Sequence, residues 1–515
     1  MNTCERWHTF ELVLDGPTSG NPFVDVHFSA VFSSQDSSIQ VNGFYDGSGK
    51  YKVRFMPEQI GTWTVKTISN VAKLNDFHTS FTCTPALGHN HGPVRVAKDA
   101  THFEYADGTP YLPFGTTAYA WVFQSDATQK QTLDSLKNSH FNKIRMTVFP
   151  KYYSYNTTEP AQYPFAGHPT HTTGVFDEQS WQVDPQKTGF DFSTFNPSYF
   201  QHLEQRIKDL DALGIEADLI LFHPYDSWGF ARMGKAMDQH YIQYIVARLA
   251  SFKNVWWSLA NEFDLMDQLG QKPLAAWNEI GERVHKEDPS NHLLSIHNFY
   301  DPPVHKGTTS NWFDYTKPWI THLSIQSDNV FFAPHWLKKY NKPVIFDECR
   351  YEGNLEFGWG DNSAHGMIDN VYRIVLRGGY ATHGETYIDK PNTKRPIWWA
   401  HGGILRGKSP KRISYLQKLL ANNGFTYIIP LALQGPHWEL AVGASPDHSH
   451  ILAYLGENQP EFELFDFLPQ NSSYTAQLID VWNMTMSDLN VTVDNKHFFH
   501  IPRKPYQAIL LTKTN

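Results

Sequence analysis

Cysteine is nearly absent. The 515 residues hold three thiols, Cys4, Cys83 and Cys349, with no CxxC spacing. So sparse and odd a set fits a reducing compartment rather than a disulfide framework. Cys4 and Cys83 flank one N-terminal segment, so a single bridge between them stays open. Charge is also thin: 18% of residues are charged and the formal net charge is −9. That balance argues against nucleic acid and an anionic membrane as main partners, because the overall field draws neither, and leaves room only for local basic patches. No apolar run reaches about 18 residues, so no transmembrane helix is expected. The opening "MNTCERWHTFELVLDG" lacks a basic-then-apolar leader and reads as a strand. The chain as it stands reads as cytoplasmic. No HExxH appears, and no GxGxxG or GxxxxGK[ST] follows a strand, so neither a metal nor a nucleotide cofactor is expected. His223, Asp226 and His297 are only loose candidates for metal ligands.

Aromatic residues, by contrast, are abundant: 16 Trp, 25 Tyr and 35 Phe, 15% of the chain. They serve either large β-rich cores or flat platforms for the apolar faces of sugar rings. At this length two to four domains are expected. Residues 1–88 alternate apolar and polar in short runs such as "FVDVHFSAVF" and "TWTVKTI", the pattern of a small Ig-like β-sandwich. The period changes near residue 110. From there to about 424, eight apolar strand-like runs alternate with helix patterns, among them "PSYFQHLEQRIKDLDALG" with Pro at its start and Gly at its end. Continuous apolar strands are what parallel pairing covered on both faces requires. Eight of them predict an α/β fold with a (β/α)8 TIM barrel over 89–424. Residues 425–515 turn β again ("HILAYLG", "YQAILLTK") and predict a second small sandwich.

A barrel of this kind carries its chemistry at the carboxyl ends of its strands. Strand one ends in Tyr119 and Trp121, and strand two carries Arg145. Strand three ends in "FHPYDSW" with His223, Asp226 and Trp228. Strand four ends in Asn261-Glu262, and strand five in His297 and Asn298. Strand six ends in Gln326, strand seven in Asp347-Glu348, and strand eight in His383 and Glu385, with Trp398 and Trp399 following. Glu262 and Glu348 stand out as a pair on opposite sides of the mouth. Glycoside hydrolysis needs such a pair, one carboxylic acid to protonate the leaving oxygen and one carboxylate to attack the anomeric carbon or activate water. Asn261 fits beside them as a donor to a sugar hydroxyl, and Arg145 as the cation that keeps the attacking carboxylate ionised. The plainer alternative is that Asn261-Glu262 merely caps a helix. On strand seven, parity with Val344 and Phe346 assigns Glu348 rather than Asp347 to the lumen.

The strand-four Asn261-Glu262 and strand-seven Glu348 endings resemble clan A of the glycoside hydrolases. "GTTAYAW", "LFHPYDSWGF" and "WWSLANEFD" resemble the apiosidase-like barrel family, and the β segments on either side resemble the modules that flank such barrels. The resemblance implies Glu262 as acid/base, Glu348 as nucleophile, Asn261 as the 2-hydroxyl contact and Arg145 beneath the nucleophile. It implies a retaining glycoside hydrolase acting on a carbohydrate, with a terminal pentose or furanose favoured. The chain departs from the clan at strand six, where Gln326 stands in place of the usual Tyr or His. Carboxyl groups about 5–5.5 Å apart give retention, and about 6.5–9.5 Å inversion. The aromatic, Pro-rich stretch from Pro150 to Phe195 is expected to wall the mouth into a pocket for exo action. An endo-acting glycanase and a non-catalytic carbohydrate-binding protein are the alternatives. Three roles are open to the flanking sandwiches: binding glycan, sealing the barrel, or building a homo-oligomer.

Overall fold

The structure, a computed structural model, describes residues 2–170, 181–299, 312–390, 395–431, 433 and 439–514. Its centre is a closed cylinder of eight parallel strands: β1 (Phe114–Thr117), β2 (Lys143–Thr147), β3 (Glu216–Phe222), β4 (Val255–Ala260), β5 (Leu294–Ser295), β6 (Leu323–Gln326), β7 (Val344–Glu348) and β8 (Tyr380–His383). Pairing runs continuously from β5 back through β1 to β8, then β7 and β6. A parallel bridge from His297 to Ser324 and a 2.6 Å bond from Ser295 Oγ to the His322 carbonyl close the seam between β5 and β6. The strands are buried along almost their whole length, which explains their unbroken apolar runs. Helices alternate with them on the outside. The one over Pro197–Ala212 begins as its sequence predicts: Asn196 accepts a bond from the Ser198 amide, Pro197 takes the first turn, and Gly214 leaves in the left-handed region.

The amino-terminal end of the cylinder is plugged. A three-stranded sheet (Val94–Val96, Phe103–Tyr105, Pro110–Tyr111) presses Phe103 and Tyr111 against Trp256, Ile345 and Tyr380. Trp256 and Trp257 are thus core residues, as their position inside a strand predicts.

Before the barrel, a five-stranded and a three-stranded sheet enclose Phe10, Phe32, Trp63 and Phe81. Cys4 stands opposite Cys83 in a parallel pair, and both are free thiols. This sandwich meets the barrel through buried charge. Arg54 grips Glu204 with two bonds of 2.8 and 3.0 Å, and Arg248 reaches Asp46 at 2.7 Å and Glu204 at 2.8 Å. After the barrel, a six-stranded antiparallel sheet and a two-stranded ribbon form the second β module. It includes a strand, Thr485–Val493, that the sequence does not announce, because its residues are mostly exposed and polar. Trp482 ties it down: His365 stacks on it at 3.6 Å and the Arg412 guanidinium lies 3.8 Å over its ring. Among the described residues, no helix is long and apolar enough to cross a membrane.

Candidate active site

Strand β4 delivers Glu262 in an unusual way. The residue takes the N-cap position of a short helix, Phe263–Gln268, yet its side chain makes no capping bond. Its backbone is left-handed, φ 61° and ψ 55°. The carboxylate turns to the barrel mouth, where the Tyr225 hydroxyl donates to Oε2. The helix-cap alternative is therefore set aside by geometry. Burial and the neighbouring Glu348 charge raise the Glu262 pKa to about 8. Glu262 is held as an acid.

Glu348 reaches the same space by a different device. The pairing of β6 with β7 slips by one residue: Ile325 faces Phe346, but Gln326 faces Glu348. The bulge turns consecutive residues inward. This corrects the parity argument. Val344 and Phe346 face the helices, with Phe346 5.5 Å from the Trp336 ring, while Ile345 and Asp347 face the lumen. Asp347 binds Lys143 Nζ at 2.8 Å, Ser324 Oγ at 2.6 Å and Thr382 Oγ1 at 2.7 Å. Lys143 also holds Asp218 at 2.8 Å, so these groups form a charged floor. Glu348 lies on this layer. Its Oε1 accepts from the Tyr119 hydroxyl and lies 3.5 Å from Arg145 Nη1 and 3.3 Å from His297 Nε2. Burial pushes its pKa up, but His297, Arg145 and Tyr119 outweigh that and hold it down at about 2. Glu348 is held as an anion.

Arg145 joins the two halves. Its Nη2 donates to Asn261 Oδ1 at 2.9 Å, and Tyr119 lies 3.2 Å from the same oxygen. With Oδ1 engaged on the protein side, Asn261 Nδ2 is left buried and without a partner among the described residues. His297 is oriented in turn by Ser324 Oγ, 3.2 Å from its Nδ1. Gln326 lines a cavity of about 440 Å³ that also holds Glu348 and Tyr351.

The sequence reading missed four contributors. Lys151, just past β2, is buried with its ammonium 3.6 Å from the Tyr119 ring, 4.1 Å from Tyr225, 4.5 Å from Tyr153 and 5.3 Å from Trp399. No carboxylate of the described residues lies within ion-pair distance of it. Burial drives its pKa down to about 7, against the pull of Glu262 and Glu348. Tyr153, Tyr225 and Tyr351 complete the wall with Trp399, whose ring lies 5.3 Å from Tyr153 and 5.8 Å from Tyr351. The signal was a lysine inside the aromatic run "FPKYYSY"; a loop lysine is ordinarily solvated. Tyr153 lies inside the Pro150–Phe195 stretch and faces the mouth, as does Trp181, whose ring lies 5.1 Å from Tyr225. Part of that stretch, residues 171–180, lies outside the described residues.

Other expected site residues lie elsewhere. Trp121, Trp228 and Trp398 are fully buried. Trp121 points its indole N–H at Met146 Sδ (3.4 Å), Trp228 packs on Tyr152 and Phe230, and Trp398 donates to Thr116 Oγ1 at 2.8 Å. They fill the layer between barrel and helices because ring size favours complete burial there. Both oxygens of Asp226 are taken by the Trp228 and Ala231 amides, 2.9 and 2.7 Å away, so it shapes a turn. His223 adjoins the mouth through Tyr225, but its Nε2 bonds the Phe149 carbonyl at 3.2 Å, and burial lowers its pKa to about 3. Glu385 accepts from the Arg406 and Gly407 amides at 2.5 and 2.7 Å. With Glu352 and His383 it forms a buried group whose ligand-type atoms lie within 4.8 Å of one another. Glu352 spends its own oxygens on the Lys408 and Ser409 amides, the Ser409 hydroxyl and the Tyr387 hydroxyl. The pair clamps the turn at 406–409 to the segments that follow β7 and β8.

A family model described as the apiosidase-like catalytic domain matches residues 97–422. Two domains of unknown function, DUF5060 and DUF5605, match residues 3–70 and 438–512. No curated protein matches the sequence. Among solved structures, a glycoside hydrolase candidate from Bacteroides vulgatus ATCC 8482 is 38% identical, with all of both chains covered and a TM-score of 0.88. A family 5 glycoside hydrolase from the same organism shares the fold at 15% identity and a TM-score of 0.60, over 82% of this chain and 94% of that one.

Proposed function

The chain belongs to the apiosidase-like catalytic family and is a glycoside hydrolase of clan A type, and we propose that it works by retention through Glu262 and Glu348. One observation carries the choice of these two residues: both carboxyl groups reach one mouth, where burial and Glu348 raise the Glu262 pKa to about 8 while His297, Arg145 and Tyr119 lower that of Glu348 to about 2, and retention follows the clan. In the first step the Glu348 carboxylate attacks the anomeric carbon while Glu262 gives its proton to the glycosidic oxygen, and the aglycone leaves. The Glu348 charge is then spent in an ester, so Glu262 loses the repulsion that kept it protonated. As a carboxylate it takes a proton from water, the water attacks the same carbon, and Glu348 departs as it began. Asn261 Nδ2 donates to a hydroxyl next to the reacting carbon, a bond that tightens as positive charge grows on the sugar. Arg145, His297 and Tyr119 keep the nucleophile ionised and aimed.

The substrate favoured is a terminal pentose or furanose, in keeping with the family. The described wall of Tyr153, Trp399 and Tyr351 supports a pocket and exo action. Glu348→Gln should cut kcat by about 10⁴-fold or more with an unchanged circular dichroism spectrum. Proton NMR of the first-formed product should show the anomer of the substrate. A Glu348→Gln enzyme of undiminished rate removes Glu348 from the mechanism, and an inverted first product removes retention.

A further inference from the structure

The turn that follows β7 carries two aromatic rings outward. Trp359 is 37% exposed and Phe357 49% exposed, although most rings of this chain are buried. Their planes are nearly parallel, 10° apart with centroids 6.1 Å from each other, so the two rings form one offset stack. Its inner edge belongs to the active site: Trp359 lines the cavity that holds Glu348, 5.0 Å from Trp399 and 6.3 Å from Tyr351. Its outer edge, Phe357, opens to solvent.

The surface is held in place. The Tyr351 amide donates to the Trp359 carbonyl at 2.7 Å, Arg350 Nε to the Gly358 carbonyl at 2.7 Å, and Thr386 Oγ1 to the Gly360 carbonyl at 2.7 Å. The Gly360 amide closes the turn on the Phe357 carbonyl at 2.8 Å. The Arg350 guanidinium beside it is paired with Asp361 at 3.2 Å. Two parallel rings, fixed and partly exposed beside a catalytic carboxylate, suit a ligand with an apolar, uncharged face. Burying them against the barrel would need only that the turn fold inward, and its hydrogen bonds prevent this.

We propose that Trp359 and Phe357 form a second sugar position, outside the pocket, on which the next ring of a neutral glycan stacks. This rests on the glycoside-hydrolase reading above and extends it: the substrate is then a chain of at least two sugars, gripped at the ring beyond the linkage that is cut. The reacting sugar is enclosed by Trp399, Tyr351 and Tyr153, and its neighbour packs against the Trp359–Phe357 stack.

The test compares substrate lengths. The 4-nitrophenyl monoglycoside that the enzyme cleaves best is set against the di- and trisaccharide ending in the same sugar. Phe357→Ala should raise KM for the trisaccharide about tenfold and for the monoglycoside at most about twofold, with kcat nearly held. Trp359→Ala should show a larger split in the same direction. An equal change at every length overturns the proposal. A second arm separates this from failure of the hydrolase reading. Arabinotriose, xylotriose, galactotriose and mannotriose are titrated into the Glu348→Gln chain and read by tryptophan fluorescence. Binding that weakens when Phe357→Ala is added supports the platform whatever the turnover. No binding of any trisaccharide overturns it, and so does a Phe357→Ala chain that sediments as a smaller species than the parent, since the rings would then be a contact between copies.

Discussion

Two clusters of buried charge invite comparison. One lies at the seam between the first sandwich and the barrel, where Arg54, Arg248, Asp46 and Glu204 meet. The other lies in the mouth, where Arg145, Lys151, Glu262 and Glu348 meet. Both are buried. At the seam every cation faces a carboxylate at 2.7–2.8 Å. At the mouth valences are left over: Lys151 is ringed by aromatic faces, Asn261 Nδ2 has no partner, and Arg145 stands 3.5 Å from the carboxylate it serves. Depth of burial does not mark chemistry here. What separates the mouth from the seam is a buried cation, Lys151, with no carboxylate of the described residues at ion-pair distance, whereas both seam guanidiniums are ion-paired.

That contrast can be broken by mutation. The largest effect should come from the seam. Arg54→Met leaves Glu204 buried with half its partners gone, and should cost about 3–5 kcal/mol of stability by calorimetry while the folded enzyme keeps its rate at 25 °C. A loss of rate with no loss of stability would reverse the assignment of the two clusters. Next comes Lys151→Met. Wild-type activity should fall on the alkaline side as Glu262 and Lys151, with pKa values of about 8 and 7, give up their protons together. Removing the ammonium takes away a charge that stabilises the Glu262 anion, so the Glu262 pKa rises and the alkaline limb moves to higher pH. The rate should drop about tenfold at neutral pH, and Lys151→Arg, whose charge does not titrate in this range, should hold the limb at lower pH than Lys151→Met does. A limb that stays put would make Lys151 a packing residue. Smaller again, Tyr225→Phe deletes one bond to Glu262 and should slow turnover roughly fivefold, about 1 kcal/mol, with the limb again moving up. Smallest is Lys50→Ala, which removes an exposed pair with Asp15 and should leave the melting temperature and the rate unchanged.

The barrel was legible because parallel strands covered on both faces leave a continuous apolar signature, and the two glutamates because a strand that ends in a carboxylate breaks that signature abruptly. Local signals failed where three-dimensional context decides. Trp121, Trp228 and Trp398 look the same in sequence as Trp399, but only Trp399 faces the mouth. The parity of Asp347 and Glu348 could not be read from β7 alone, because the slip involves its neighbour β6. Lys151 and Tyr225 matter through one another and through Glu262, from three different segments. Thr485–Val493 has too few buried side chains to show a strand period.

Glu262 sits where an L-residue with a full side chain strains its own backbone by about 1–2 kcal/mol. Glycine or asparagine would rest there more easily. If Glu262 is the acid proposed above, random drift at this position runs toward sturdier proteins that do nothing, and selection for turnover holds the glutamate against it. A lineage released from that selection should lose the acid early, and its inert descendants should melt later than their working ancestor.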